Sequence, residues 1–252
     1  MTKPHGNSMC LAKSRLDWAA GRIKEFHDSA QSFLDSGVYS RSIHKQVEPD
    51  GSLKFTVGFI SSADPPFVLS ALAGEIVHTL RSTVDNLVWS VAQTCPVDKR
   101  LSLVFKEGAT AFAHYASITK LDRLPRPLYD WYENEQPHKR PDGRPSLLHL
   151  LTKLWNEDKH RVPLLMGSAV PVGFIQSGNV KCFTIIGSGV MKHGDKICEI
   201  TVVPEEVANL KIRFAVDVGF KEGCIPSART FLLCVENHIR HEVLPQFEPF
   251  LT

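Results

Sequence analysis

The residues YSRSIHKQVEPDGSLKFTVGF (39–59) and FVLSALAGEIVHTLRSTVDNLVWSVAQT (67–94) decide the fold of this chain. In the first stretch, apolar residues from Leu53 to Phe59 alternate with polar or small ones, and Pro49-Asp50-Gly51 supplies a turn. This pattern predicts a β-hairpin over residues 39–60. In the second stretch, apolar residues recur at the spacing of an amphipathic helix. The second stretch therefore predicts a long helix that ends before Pro96.

Blocks of helices and blocks of strands make up the rest of the chain. Helical spacing predicts further helices at about 11–34, 108–121, 125–136, 146–162 and 227–244. Alternating apolar residues and turn signals predict strands at 168–175, 180–187, 196–203 and 210–219. Elements in blocks favour an α+β fold, in which five or six helices pack with a mostly antiparallel sheet of the N-terminal hairpin plus about four C-terminal strands.

Neither a flexible linker nor an internal repeat divides the sequence, so we expect residues 1–252 to form a single compact domain. Within that domain, we expect a flexible arm, a mainly helical part that includes the hairpin, a run of strands and a C-terminal helix. These parts correspond to residues 1–9, 11–166, 168–220 and 227–244, with the hairpin at 39–60.

The composition is that of an ordinary globular protein, with 43% hydrophobic and 22% charged residues. Lys and Arg number 29 and Asp and Glu number 27, so the formal net charge is only +2. This charge does not indicate a nucleic-acid or membrane partner. The sequence leaves the partners of the chain unknown and a homo-oligomer open.

The sequence also predicts a cytoplasmic location and no cofactor. The first residues lack the apolar segment of a signal peptide, and no uninterrupted apolar run is long enough for a membrane helix. The six cysteines lie too far apart for a zinc site, and no phosphate-binding glycine loop or metalloprotease motif is present. On the last helix, His238 and Glu242 are four residues apart, which suits a surface pair better than a metal site.

Charged residues occupy the apolar face of the helix that begins after Ser146. On a helical wheel, Asp158 and Arg161 fall on the same stripe as the leucines at 147, 150, 151 and 154. His149, Asn156 and His160 point the other way on this wheel. Burying an unpaired charge is very costly, so Asp158 and Arg161 need partners or water.

The long helix carries one apolar seam and a second seam that is polar at its centre. We call the second one the polar seam; it consists of Ala71, Gly74, His78, Arg81, Asp85, Val88 and Ala92. We expect the polar seam to face Asp158 and Arg161, which gives a neutral network of two Arg and two Asp with a titratable histidine. The candidate site is therefore His78, Arg81, Asp85, Asp158, His160 and Arg161.

Two segments of this candidate site resemble a group of bacterial proteins of unassigned activity. Residues 74–89, GEIVHTLRSTVDNLVW, resemble the H-x-L-R-S-x-x-D-x-L-x-W stretch of that group. Residues 155–161, WNEDKHR, resemble its N-x-x-D-K-H-R segment, although Asn156 is one residue closer to Asp158 here. The resemblance implies that these positions belong to a functional or structural site, and it assigns no activity to them. The Arg-x4–6-His motif of the HEPN ribonucleases occurs at Arg22…His27 and Arg144…His149, about as often as chance predicts.

The sequence supports two interpretations of the candidate site. In the first, the charged residues form a buried or cleft-lining network in a soluble cytosolic protein that binds a small polar ligand or a partner. In the second, the protein is a hydrolase, with RNA as one candidate substrate. His78 or His160 would then act as acid or base, and Arg81 or Arg161 would hold phosphate.

Overall fold

A computed structural model shows an α+β protein, as the sequence predicts. The structure describes residues 5–99, 101–140, 144–160, 165–173, 180–203, 213–221 and 225–251. The helices in these ranges are α1 His5–Asp35, α2 Phe67–Ala92, α3 Ala109–Thr119, α4 Arg126–Asn134, α5 Leu147–His160, α6 Ala228–His238 and α7 Leu244–Leu251. Two short 3₁₀ helices, Leu121–Arg123 and Pro137–Lys139, flank α4.

The strands form two antiparallel sheets within the described residues. The strands are β1 Tyr39–Val47, β2 Leu53–Ser61, β3 Leu165–Gly173, β4 Val180–Ile185, β5 Gly189–Val190, β6 Lys196–Val202 and β7 Arg213–Phe220. One sheet has the order β1-β2-β6-β4, and the other has the order β5-β3-β7. The predicted hairpin is therefore joined to a C-terminal strand, because β2 pairs with β6 on its second edge.

The chain divides into two compact units. A helical unit comprises residues 1–25, 72–161 and 230–252, and a sheet unit comprises residues 26–71 and 162–229. Helices α1 and α2 each contribute residues to both units. The expectation that the whole chain behaves as a single domain stays a prediction.

The predicted turn of the hairpin is formed by a glycine in the left-handed region and an aspartate side chain. Gly51 has φ +80°, a conformation that side chains with a Cβ rarely adopt. Oδ1 of Asp50 accepts a hydrogen bond from the backbone N–H of Ser52 at 2.9 Å. This local chemistry closes the loop and sets the register in which Val47 lies opposite Leu53.

The core of the sheet unit lies on one face of the four-stranded sheet. Every second residue of β2 contributes to it, as the alternation in the sequence predicts. Tyr39 adds its ring against that of Phe59, with centroids 5.2 Å apart. The buried residues of this core are Tyr39, Leu53, Phe55, Val57, Phe59, Ala169, Met191, Ile197, Cys198, Ile200 and Val202.

The apolar seam of α2, most of which lies in the helical unit, is buried along its length. The members of this seam are shielded from solvent, as the helical spacing predicts; they are Leu69, Leu72, Ile76, Leu80, Val84, Leu87 and Val91. Helix α5 begins where Ser146 was predicted to cap it, since Ser146 Oγ accepts the backbone N–H of His149 at 3.1 Å. These two helices carry the candidate site.

Both ends of the chain differ from the prediction. Residues 5–9, expected in a flexible arm, belong to α1, and residues 1–4 lie outside the described ranges. The C-terminal helix does not end at 244, because a π-helical turn, Ile239–Val243, connects α6 to α7. This turn places Pro245 in the first turn of α7, where a missing N–H removes no α-helical hydrogen bond within that helix.

A membrane-spanning helix is also absent from the ranges that the structure describes. The helices there are either too short or too polar to cross a bilayer.

Candidate functional site

The polar seam of α2 faces α5, as the sequence predicts. Contacts along the seam connect the two helices within the helical unit. Gly74 lies against the carboxylate of Asp158, His78 accepts a hydrogen bond from Trp155, and Arg81 donates one to Thr152. Because Gly74 lacks a side chain, α5 can place a carboxylate directly on the backbone of α2.

Among the candidate-site side chains that the structure describes, Arg81 is the most deeply buried charge, with only 3% of its side chain exposed. Its Nη1 forms a salt bridge with Asp85, one turn along the same helix. Nε donates to Oγ1 of Thr152 at 3.1 Å, and Nη2 donates to the carbonyl oxygen of Leu103. The guanidinium also lies 5.3 Å from the ring centre of Trp155, a cation–π arrangement. These contacts fix the guanidinium in one position.

The backbone of residues 101–106, outside any helix or strand, is held by side chains. Asp85 Oδ1 accepts the N–H of Leu103 at 3.1 Å, beside the carbonyl that Arg81 binds. The Tyr132 hydroxyl accepts the N–H of Val104 at 2.6 Å and donates to the carbonyl of Ser102 at 2.7 Å. Side chains from α2 and α4 thus provide the hydrogen bonds that a neighbouring strand normally provides.

The single four-membered network expected from the sequence is not observed. Within the described residues, the salt bridges of Arg81 are with Asp85 and do not include Asp158. Asp158 instead lies against Gly74 and close enough to His78 for the two charges to interact. Arg161 lies outside the described residues, and so does the side chain of His160. The sequence could not predict that Arg81 pairs with Asp85 and not with Asp158, because both carboxylates lie on the helix faces expected from the spacing.

Partial burial raises the pKa of Asp158, and the nearby His78 lowers it by a smaller amount. The raised pKa means that the folded protein holds this proton more tightly than the unfolded chain does. The ionised carboxylate therefore opposes folding, and its contribution becomes less favourable as the pH rises through its folded pKa.

Substitution of Gly74 tests the contact with Asp158. A Cβ at position 74 would lie 2.9 Å from Cγ of Asp158, so G74A forces the carboxylate to move. In an Asp158→Ala background the same substitution should stabilise α2 by up to about 1 kcal/mol, because alanine favours a helix over glycine. We expect the effect of G74A on the free energy of unfolding to be more favourable in the Asp158→Ala background than in the wild type, by about 1 kcal/mol or more. Urea unfolding of the four proteins measures this difference. Additive effects of the two substitutions would contradict the contact.

A cleft of about 370 Å³ opens beside Arg81, and we call it the Arg81 cleft. Residues 102–105 form one wall, and α2 and α5 form the other. Its polar lining residues include Arg81, Asp85, His149, Thr152, Lys153 and Asn156.

His149 lies in this cleft, although the helical wheel placed it on the solvent side. Only 7% of His149 is exposed, and its ring stacks on Phe105 with centroids 4.8 Å apart. Nδ1 is buried without a hydrogen-bond partner. Burial lowers the pKa of His149, and the positive charge of Lys153 lowers it further. The imidazole is therefore neutral near pH 7, with one donor and one acceptor nitrogen.

The wheel was wrong about His149 because the buried face of α5 is centred closer to Leu148 than to Leu147. Leu148, Leu151 and Leu154 are buried, whereas Leu147 and Leu150 are only half-buried. The sequence contained a partial indication that His149 is buried. The short apolar segment 101–105 includes an aromatic residue, Phe105, which can cover a histidine. The pairing of that segment with α5 is a tertiary contact and leaves no periodic pattern.

His78 is exposed and contacts Trp155, but it does not line the Arg81 cleft. The indole Nε1–H of Trp155 donates to Nδ1 of His78 at 3.1 Å. Since an indole nitrogen can only donate, Nδ1 must accept, and the neutral imidazole carries its proton on Nε2. Nε2 is therefore a hydrogen-bond donor at the surface of the helical unit.

The described residues do not bring three or more His, Cys, Asp or Glu side chains together in an arrangement that could hold a metal ion. Comparison with protein-family models, with curated proteins and with solved structures found no match to this chain. The resemblance of residues 74–89 and 155–161 to a bacterial group therefore stays a prediction.

Proposed function

We propose that this chain is a cytoplasmic protein that binds a small polar ligand in the Arg81 cleft. The observation that carries the proposal is the buried, unpartnered Nδ1 of His149 in a cleft of about 370 Å³. Buried polar atoms in folded proteins nearly always have a hydrogen-bond partner. A cleft of this volume lies at the lower end of the range that small-molecule sites occupy.

The chemistry of the lining favours recognition over catalysis. Arg81 and Asp85 already neutralise each other and bind the backbone of Leu103, so they form a rigid wall. His149 offers one donor and one acceptor, and Lys153 and Asn156 supply further polar groups. A ligand with both donors and acceptors suits this lining better than a purely apolar or a purely anionic one.

A screen of small polar compounds tests the proposal, with amino acids, carboxylates, amides and sugars as probes. Thermal unfolding of the full chain is measured with each compound, and binding of the hits is measured by calorimetry. We expect the screen to yield at least one compound that stabilises the wild type. This compound should bind the His149→Gln variant about tenfold more weakly, because the variant lacks the imidazole that would hydrogen-bond to it.

The matched control is His114→Gln, which alters an exposed histidine on α3, away from the cleft. This variant should bind the hits as the wild type does. Equal binding by the His149 and His114 variants would contradict the proposal, as would the absence of any hit from these four compound classes.

A hydrolase is the second candidate function, because His78 is exposed and Asp158 lies close enough for their charges to interact. An imidazole beside a carboxylate is a common acid–base arrangement. Hydrolysis of RNA oligonucleotides by the wild type, lost in both His78→Ala and Asp158→Asn at unchanged thermal stability, would favour this function. A wild type without activity on RNA would exclude a ribonuclease.

A further inference from the structure

A second cleft, of about 350 Å³, lies between α1 and α2 in the helical unit. We call it the Arg15 cleft. None of its lining residues is acidic, and each of the six carries a polar group. The lining residues are Ser14, Arg15 and Trp18 from α1 and His78, Thr79 and Ser82 from α2. A cleft lined by a cation, an imidazole and hydroxyl groups is suited to an anionic ligand.

Arg15 supplies a positive charge that the described residues do not neutralise. Its Nη1 is buried and has no hydrogen-bond partner among them. Arg22, two turns along the same helix, also has a buried nitrogen without a partner, Nε, but its charge is paired with both Glu25 and Glu75, the latter at 2.8 Å. A buried guanidinium nitrogen that lacks an acceptor carries a desolvation cost, which an anion in the cleft would offset.

The hydrogen-bonding groups around Arg15 fall into two sets. His78 presents a donor, because its hydrogen bond from Trp155 fixes the proton on Nε2. The hydroxyls of Thr79 and Ser82 donate to helix carbonyls at 2.9 and 3.1 Å, so each keeps lone pairs that can accept. The cleft thus offers donors for an oxyanion and acceptors for the hydroxyl groups of a sugar.

Trp18 provides an aromatic surface at the edge of the cleft. Its side chain is 43% exposed, which is high for the largest side chain in proteins. The guanidinium of Arg22 lies 5.6 Å from the ring centre, and the ring also lines the cleft. An aromatic group of a ligand can therefore stack on the indole.

We propose that the Arg15 cleft binds a nucleoside monophosphate. Arg15 and the Nε2–H of His78 would hold the phosphate, the hydroxyls of Thr79 and Ser82 would accept from the ribose, and Trp18 would stack on the base. The site shares no lining residue with the Arg81 cleft, so it does not depend on the function proposed there.

Calorimetric titration of the full chain tests this site, with 5′-AMP, adenosine, ribose 5-phosphate and inorganic phosphate as the probes. We expect 5′-AMP to bind, and each of the other three to bind about tenfold more weakly or not at all, since each lacks at least one of the recognised groups. Arg15→Gln and Trp18→Leu should each weaken 5′-AMP binding by about tenfold.

The controls are matched substitutions on the same two helices. Lys13→Gln removes an exposed charge from α1 that pairs with Glu248, and Trp89→Leu removes a half-exposed indole from α2 outside the cleft. Both variants should bind 5′-AMP as the wild type does, and so should His149→Gln. A His149→Gln variant that loses 5′-AMP binding would place the nucleotide in the Arg81 cleft and overturn the assignment.

Three further results would overturn the proposal. They are the absence of 5′-AMP binding by the wild type, unchanged binding by both Arg15→Gln and Trp18→Leu, and binding of inorganic phosphate as tight as that of 5′-AMP. Thermal unfolding of each variant shows whether it is folded. If Arg15→Gln does not fold, Trp18→Leu decides alone, because an exposed ring contributes little to the core.

Discussion

Replacing Asp85 with alanine is expected to destabilise the protein by about 3 kcal/mol. The substitution leaves the guanidinium of Arg81, of which 3% is exposed, without its counter-charge. It also removes the acceptor of the Leu103 N–H. Removal of one partner of a buried ion pair costs about 3–5 kcal/mol. Because Asp85 is 24% exposed, we expect a cost near the lower end of this range. Urea unfolding of wild type and variant measures the loss.

The helical unit contains a matched control for this prediction. Arg126 and Asp130 are also an arginine–aspartate pair one turn apart, but their side chains are 78% and 44% exposed. Asp130→Ala should therefore cost at most about 0.5 kcal/mol. Asp85→Asn separates the two contributions, because the amide oxygen can still accept from Leu103 but cannot neutralise Arg81. Equal costs for Asp85→Ala and Asp130→Ala would show that burial does not strengthen the pair.

Replacing Gln136 with leucine is the second substitution with a large expected effect. Gln136 is completely buried, and its Oε1 accepts the N–H of Lys106 at 2.9 Å. Its Nε2 donates to the carbonyls of Val104 and Tyr132 at 3.0 and 3.3 Å. Leucine fills a similar volume and satisfies none of these groups. Each buried polar group without a partner costs about 1–3 kcal/mol, so we expect a loss of about 3 kcal/mol.

Amide hydrogen exchange distinguishes this mechanism from a general loss of packing. The N–H of Lys106 should exchange slowly in the wild type and much faster in Gln136→Leu, measured under conditions where the variant stays folded. Gln93→Leu, at an exposed position near the end of α2, should change the stability by no more than about 0.5 kcal/mol. An unchanged exchange rate at Lys106 would mean that another group holds this segment.

Local patterns in the sequence predicted most of the helices and strands. The Pro49-Asp50-Gly51 turn and the Ser146 cap depend on residues within a few positions of each other. The sequence therefore predicts both features directly. The pairing of β2 with β6 joins residues separated by well over a hundred positions, and no local pattern encodes it.

The continuation of the C-terminal helix beyond Pro245 shows where a local rule fails. Proline ends a helix when its ring meets a regular α-helical turn before it. Here the Leu244 N–H bonds to the carbonyl of Ile239, five residues earlier, so the turn before Pro245 is π-helical. Buried residues on the far side, such as Phe247 and Leu251, keep the chain helical.

The sequence predicted that the polar seam of α2 faces α5, but it did not predict which charged residues of the two helices pair. The seam spacing correctly placed α2 against α5, because burial imposes a helical period on both. Which charges pair depends on side-chain reach: Arg81 bonds to its own helix and to Leu103, and Asp158 lies nearer to the N-terminal end of α2. His149 was missed for a different reason: the buried face of α5 is centred near Leu148, and Phe105, which covers the imidazole, lies in an irregular segment.

Trp155 belongs to the surroundings of both clefts. Its ring lines the Arg81 cleft, and its indole N–H holds His78, which lines the Arg15 cleft. Any occupant of one cleft that displaces this ring alters the affinity of the other. Thermodynamic linkage then requires the two affinities to change by the same factor, whichever occupant arrives first. A ligand that leaves the Trp155 ring in place would leave the two binding equilibria independent, and one that displaces it would couple them.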